Sequence, residues 1–113
     1  MTSWIYKNSG RITDKEIKDQ LKRAVLSIPL NIAEGNGRNT IKEKTQFYKT
    51  ARGSLFECIP ILQLIAELKI FSEVEYQKLY LGAEEVGKML NGMINSLNKY
   101  RGEQEIRNSI IRD

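Results

Sequence analysis

Four polar residues beside a pair of glycines are the part of this sequence best suited to chemistry. Asn31, Glu34, Arg38 and Glu43 bring together an amide, two carboxylates and a guanidinium. Helix ends, however, leave backbone amides and carbonyls unpaired, and such side chains can satisfy them. We expect Glu34 to pair with Arg38, and Glu43 to reach back to the amide of Thr40. We favour a structural role for this corner, with a binding role as the alternative. The corner residues are Asn31, Glu34, Gly35, Thr40 and Glu43.

The sequence lacks the parts of the common catalytic sites. It has no histidine, which excludes a Cys–His nucleophile pair and histidine metal ligands. Cys58, the single cysteine, lies in an apolar stretch typical of a small buried hydrophobe. Glu84 and Glu85 are adjacent, so on a helix they point in different directions and do not form an acid/base pair. We therefore predict no enzyme activity, no metal, no cofactor and no small-molecule substrate.

Positive charge is concentrated in the first half of the chain. Residues 1–52 hold 11 Lys/Arg and 5 Asp/Glu, a formal charge of +6, whereas residues 53–113 carry −2. A basic half favours RNA or DNA as partner, bound through backbone phosphate with strong salt dependence. The candidate nucleic-acid-binding residues are Lys15, Lys18, Lys22, Arg23, Arg38, Lys42, Lys44, Lys49 and Arg52. The alternative is a structural assembly module that docks another protein, in which the lysines only confer solubility.

Hydrophobic spacing predicts three long helices that would position these groups, over residues 14–34, 41–68 and 73–100. Capping-box pairs mark their starts: Thr13 with Glu16, Thr40 with Glu43, and Ser72 with Glu75. Pro29 and Pro60 fall inside the first two helices and predict bends. The expected fold is all-α, an up-and-down antiparallel bundle of three long helices plus a short N-terminal segment.

Glycines are expected to shape the corner after the first helix. Gly35 is predicted to end that helix in a left-handed conformation, with Gly37 as a second permissive position. A corner centred near Gly37 places Ser27 opposite Phe47. Gly53, inside the second helix, is expected to permit close approach of another helix.

Length and composition predict one domain, a helical bundle over residues 1–102 that ends near Gly102. The remaining residues, 103–113, are expected to be a charged tail that is frayed or disordered. No apolar run approaches the roughly 18 residues of a membrane span. The start has no signal-peptide layout, so we expect a cytoplasmic protein without membrane contact.

Two motifs in the sequence are familiar as a pair. They are Ala24-Val25-Leu26-Ser27-Ile28-Pro29-Leu30-Asn31-Ile32-Ala33-Glu34-Gly35, followed by Arg38, Thr40, Glu43 and Phe47, and Ala51-Arg52-Gly53-Ser54-Leu55-Phe56-Glu57. Over residues 11–100 the chain resembles the bacterial four-helix-bundle family encoded by intervening sequences of 23S ribosomal RNA genes. The accessory protein of diversity-generating retroelements is similar at a greater distance.

The resemblance implies an up-and-down helical bundle that assembles into a homo-oligomer, a pentameric barrel. It also implies a nucleic-acid or ribonucleoprotein role and no established enzymatic chemistry. Two features depart from the family pattern. Pro60 stands where an ordinary helix former is expected, and only about a dozen residues precede the segment where the family has a full first helix. Three alternatives explain this short first segment: the first helix is shortened, the chain is truncated, or a neighbouring subunit covers the open groove.

Overall fold

The structure is a computed structural model that describes residues 1–112, with the side chains of residues 1–110. Its elements are α1 (Thr2–Asn8), a 3₁₀ turn (Ser9–Arg11), α2 (Lys15–Asn36), α3 (Ile41–Glu67) and α4 (Glu73–Arg112). Within this part of the chain there are helices and turns but no strands. The predicted all-α bundle of three long helices and a short N-terminal segment is confirmed.

Two of the predicted helix starts are built as expected. Thr40 caps α3, and its side chain accepts a hydrogen bond from the amide of Glu43 at 3.1 Å. Ser72 and Glu75 form a reciprocal box before α4, in which each side chain accepts from the other residue's amide, at 2.8 and 3.1 Å. Side-chain oxygens therefore satisfy amides that the first helical turn leaves unpaired.

The start of α2 differs from the prediction. Asp14, rather than Thr13, is the N-cap, and its carboxylate accepts from the amide of Ile17 at 3.0 Å. Aspartate is at least as good an N-cap as threonine, and its charge also suits the positive end of the helix dipole. The expected pair of Thr13 with Glu16 was therefore one residue out of register.

The core lies where α3 packs between α2 and α4, with the N-terminal segment closing one end. Ile5 and Ile12 of that segment are fully buried against the long helices. The buried hydrophobic residues of the three long helices recur at helical spacing: Leu21, Ala24, Val25 and Ile28 on α2, Tyr48, Ala51, Leu55, Cys58, Leu62 and Ile65 on α3, and Leu79, Ala83, Leu90 and Ile94 on α4.

The α2–α3 hairpin has a different register from the one predicted. Ser27 Oγ lies 2.7 Å from Ser54 Oγ, so Ser27 faces Ser54 rather than Phe47. Helix α2 continues through Gly35 to Asn36, which moves the centre of the corner toward Thr40. The space around Gly53 is open, so the expected close approach of another helix is made by the neighbouring small residue Ser54 rather than by Gly53.

Gly35 has a role other than the predicted left-handed cap. None of the glycines in residues 1–112 has a positive φ, and Gly37 has an ordinary φ of −86°. Gly35 is buried inside α2, and a Cβ placed there would lie 2.6 Å from Cε1 of Tyr48. A hydrogen atom is needed at this position because the Tyr48 ring packs directly on the helix backbone.

The left-handed residue lies instead at the second corner. Lys69 has a φ of 59°, and its amide donates to the carbonyl of Ala66 at 2.9 Å. The amide of Ile70 donates to the carbonyl of Ile65 at 3.1 Å. These two bonds form a Schellman motif, in which a lysine occupies the position that glycine usually takes.

Helix α4 does not end at Gly102 as predicted, but continues to Arg112. The hydrogen bond between Arg52 and Asn91 sets the antiparallel register of α3 and α4. In that register Ile41, the first residue of α3, lies level with Gly102, so the last turns of α4 extend beyond α3. The division into a bundle over residues 1–102 and a tail over 103–113 stays a prediction, and Asp113 lies outside the described residues.

Arg11 fastens the N-terminal segment to the second corner. Its guanidinium makes two hydrogen bonds to the Glu75 carboxylate, at 2.8 and 2.9 Å, and a third to the carbonyl of Ile70 at 2.8 Å. It also lies 5.0 Å from the ring centroid of Phe71, which contacts Trp4 edge-on. Hydrogen bonds from Arg11, and then from Ser72, lower the pKa of Glu75 to about 2.

We expect Glu75→Gln to lower the Tm at neutral pH, because it removes this ion pair. Since the pKa of Glu75 falls from its ordinary 4.5 to about 2 on folding, the carboxylate stabilises the fold fully above pH 4.5. That contribution is lost as the pH falls toward 2. Circular-dichroism melts should show the gap between wild type and variant closing over this range. A constant gap would contradict the assignment; Glu85→Gln, at an exposed site, is the control.

We also expect Gly35→Val to lower the free energy of unfolding by more than about 1 kcal/mol, because the new side chain collides with Tyr48. Gly53→Ala is the matched control, since it also replaces a helix-interior glycine but faces open space. It should be stabilising by up to about 1 kcal/mol through helix propensity. Urea unfolding measures both, and a wild-type midpoint for Gly35→Val would refute the close contact.

Candidate nucleic-acid interface

The first group of basic residues lies on the first half of α2. Lys15 is exposed and Lys18 is half-buried, and within the described residues the side chain of neither makes a hydrogen bond or ion pair. The ammonium of Lys22 lies 5.1 Å from the ring centroid of Tyr6 on α1, a cation–π contact. Arg23 donates a hydrogen bond to the side chain of Gln20 on the same helix. Lys15 and Lys18 are therefore the least engaged cations of this group.

At the corner, the positive charge of Arg38 is already compensated. Its guanidinium lies 3.0 Å from the Glu34 carboxylate and 3.9 Å from that of Glu43, so the predicted pair with Glu34 is present. The guanidinium also stacks over the ring of Phe47, 4.8 Å from its centroid. The Glu43 carboxylate contacts Arg38, rather than the Thr40 amide as predicted.

Asn31 is satisfied within its own helix. Its side-chain amide donates to the carbonyl and hydroxyl oxygens of Ser27, at 2.8 and 2.9 Å. The shift in register means that Asn31 does not face Glu43, as a corner centred on Gly37 would require. Asn31 therefore supports the Ser27–Ser54 contact between α2 and α3 rather than the turn.

Lys44 and Arg52 on α3 hold neighbouring helices. The ammonium of Lys44 donates to the carbonyls of Gly35 and Asn36, both at 3.2 Å, and so caps the C-terminus of α2. Arg52 donates to the side-chain oxygen of Asn91 on α4 at 2.8 Å. In the monomer, these two cations connect α3 to α2 and to α4.

Lys42 and Lys49 differ from their neighbours on α3. Both are exposed, and within the described residues neither has an ion pair or side-chain hydrogen bond. They are seven residues apart, which puts them on one face of the helix about 10.5 Å apart along its axis. The nine predicted residues thus fall into two groups, one on the first half of α2 and one at the corner and on the first half of α3.

Sequence reasoning missed a cleft of about 330 Å³ between α3 and α4. Phe56, at 61% exposure, stands at its edge, and Leu55, Ile59 and Ala83 contribute apolar lining. Gly87 forms part of its wall, where a Cβ would lie 3.5 Å from Leu55. The one sign of this cleft in the sequence was Phe56, a large aromatic residue next to the buried Leu55 and therefore off the apolar stripe of α3.

The described residues contain no group of three or more His, Cys, Asp or Glu side chains that could hold a metal ion. Cys58 is buried, and burial, with the negative charge of Glu57, raises the pKa of its thiol to about 12. The nucleophilic thiolate is therefore scarce at neutral pH. None of the helices in residues 1–112 combines the length and apolar character needed to cross a membrane.

The class of protein defined by these features is an all-α bundle whose polar corner serves structure and whose nine candidate cations lie on α2, on α3 and at the corner between them. A family model described as 23S rRNA-intervening sequence protein matches residues 1–92. The chain belongs to this family. The match includes α1 and the Arg11 contact, as well as the two motifs of α2 and α3. No curated protein matches the chain.

We expect Lys44→Met to lower the free energy of unfolding by roughly 0.5 kcal/mol, because the last carbonyls of α2 lose a charged donor. Lys42→Met removes the same charge from an exposed position nearby and should be neutral. Urea unfolding compares the two variants. Equal effects would show that Lys44 acts only through net charge.

Proposed function

We propose that this chain is a non-enzymatic helical-bundle protein of the cytoplasm that binds the phosphate backbone of RNA or DNA as a homo-oligomer. The observation that carries the proposal is a set of four lysines without described partners, on α2 and on α3: Lys15, Lys18, Lys42 and Lys49. An uncompensated lysine can exchange a counterion for a phosphate without first breaking a bond in the protein.

One further point supports this proposal. Residues 1–52, which carry a charge of +6, also contain all four of these lysines. Binding of this kind recognises phosphate rather than base edges, so it should depend weakly on sequence.

Assembly is the second part of the proposal, with five subunits expected from the family resemblance. Leu26 and Leu30 lie one turn apart on α2 and are 41% and 56% exposed. Pairs of large apolar residues at this spacing suit helix–helix contact between subunits. The same pair favours the second candidate function, a structural module that docks another protein without nucleic acid.

The test is fluorescence anisotropy with a labelled mixed-sequence RNA over a salt series, with light scattering on the same samples. We expect binding at low salt that fades steeply as salt rises, by a protein several times heavier than the 13.0 kDa monomer. Lys15→Glu/Lys18→Glu should weaken binding and leave helicity unchanged. Lys78→Glu/Lys99→Glu on α4 is the control, because it lowers the net charge equally.

Each part of the proposal can fail separately. Absence of RNA binding at low salt would refute the nucleic-acid role, and equal losses in the two double variants would refute a role for α2. A monomer at micromolar concentration would refute assembly. Capture of a partner protein that survives high salt, without RNA binding, would favour the docking module.

A further inference from the structure

We propose that the cleft between α3 and α4 receives an unstacked base of single-stranded nucleic acid on the ring of Phe56, while phosphates further along the same strand contact Lys49 and then Lys42. This inference rests on the proposed function and names its substrate class. It adds a base-binding site on one face of α3 to the phosphate contacts proposed above, and gives a function to an aromatic ring that the core does not use.

The spacing of three residues on α3 defines the track. Lys42, Lys49 and Phe56 follow each other at intervals of seven residues, so they share one side of the helix. Each interval is about 10.5 Å along the axis. All three side chains are exposed, and Phe56 stands at the cleft. The surface is thus two cations followed by an aromatic platform.

The cleft beside Phe56 has the volume and lining that a flat apolar group needs. Its volume is about 330 Å³, and its apolar walls come from both helices. Gly87, the residue before Lys88 on α4, has no side chain to fill the cleft. Phe56 is 61% exposed, so its ring is accessible to a group that enters the cleft.

Charge separates this cleft from an ordinary apolar groove. Lys88 lines the cleft. Arg52, one turn before Phe56 on α3, donates a hydrogen bond to Asn91, which also lines the cleft. Glu84 is the one carboxylate among its described lining residues, and it lies a turn away from Lys88 toward Tyr80. The Phe56 end is therefore the cationic end, which suits a base with its phosphates on either side.

The same geometry selects single strands over duplexes. In a duplex the base faces are stacked on one another and no protein ring can reach them, whereas lysines reach phosphates in both forms. Stacking of a free base on an aromatic side chain is tolerant of sequence, as expected for a backbone-binding protein. Phe56 should therefore add affinity for single strands only.

The test measures the affinity of a labelled oligouridylate and of an RNA duplex of equal length, at one low salt concentration, for the full chain and its variants. Phe56→Ala should weaken oligouridylate binding about tenfold and leave duplex binding unchanged. Phe56→Leu keeps an apolar side chain but removes the ring, and should behave in the same way. Leu81→Ala, at another exposed apolar site on α4, is the control and should change neither affinity.

Salt dependence separates the ring from the lysines. Phe56→Ala should leave the slope of log affinity against log salt unchanged. Lys42→Ala/Lys49→Ala should reduce it by roughly 0.7 for each lysine on single strands. Photo-crosslinking with 5-iodouridine RNA, read by mass spectrometry, should place the crosslink on Phe56.

Several results would overturn this inference. If wild type binds single strands but Phe56→Ala binds them equally well, the base site is refuted while the proposed function stands. If wild type binds no nucleic acid, both fail. If Phe56→Ala changes the mass in light scattering and weakens single strands and duplex alike, the cleft is a contact between protein subunits instead.

Discussion

The contact between the backbone of Gly35 and the ring of Tyr48 determines how the two central helices meet. Helices that touch through a glycine and a ring face cannot slide by one residue without a collision or a void. Tyr48 also donates to the side chain of Asn36, and Lys44 caps the carbonyls beside it. The C-terminus of α2 is thereby bound to the first turns of α3. This register turns Lys42 outward and brings Ser27 against Ser54.

The short N-terminal segment covers only one end of the bundle. Arg11 joins it to the second corner, and Ile5 and Ile12 are fully buried there. Toward the first corner the core narrows to a separate small cluster around Tyr48 and Leu90, where several apolar neighbours are only partly buried. The better-covered end thus lies near the α3–α4 corner. The less covered end lies near the α2–α3 corner, which is where a first helix of full length, or another subunit, would add burial.

The starts of the three long helices followed from the sequence to within one residue, because amphipathic periodicity and caps are local properties. The predicted second helix, residues 41–68, differs from α3 by one residue at its end. Glycine was harder to interpret, because it serves left-handed turns, close contacts and weak helix interiors alike. Gly35 is a close contact, whereas the left-handed residue is Lys69, whose conformation comes from the Schellman bonds of the α3–α4 corner. Nothing in a single sequence distinguishes these cases, since each depends on which helix lies alongside.

The candidate interface could also be predicted only in part, because the sequence does not show which charges are paired. Nine basic residues could be counted from the sequence, but counting does not reveal which charges the fold already uses. Arg38 is neutralised by two carboxylates, Lys44 caps a helix, and Arg52 holds Asn91. The cost of redirecting such a group to a phosphate includes the bond that it loses, so its net gain is small. The lysines that lack partners keep their full attraction for phosphate. The pairing of cations within the monomer, rather than the net charge of +4, therefore decides which of the nine residues would bind the proposed polyanion without first losing a contact.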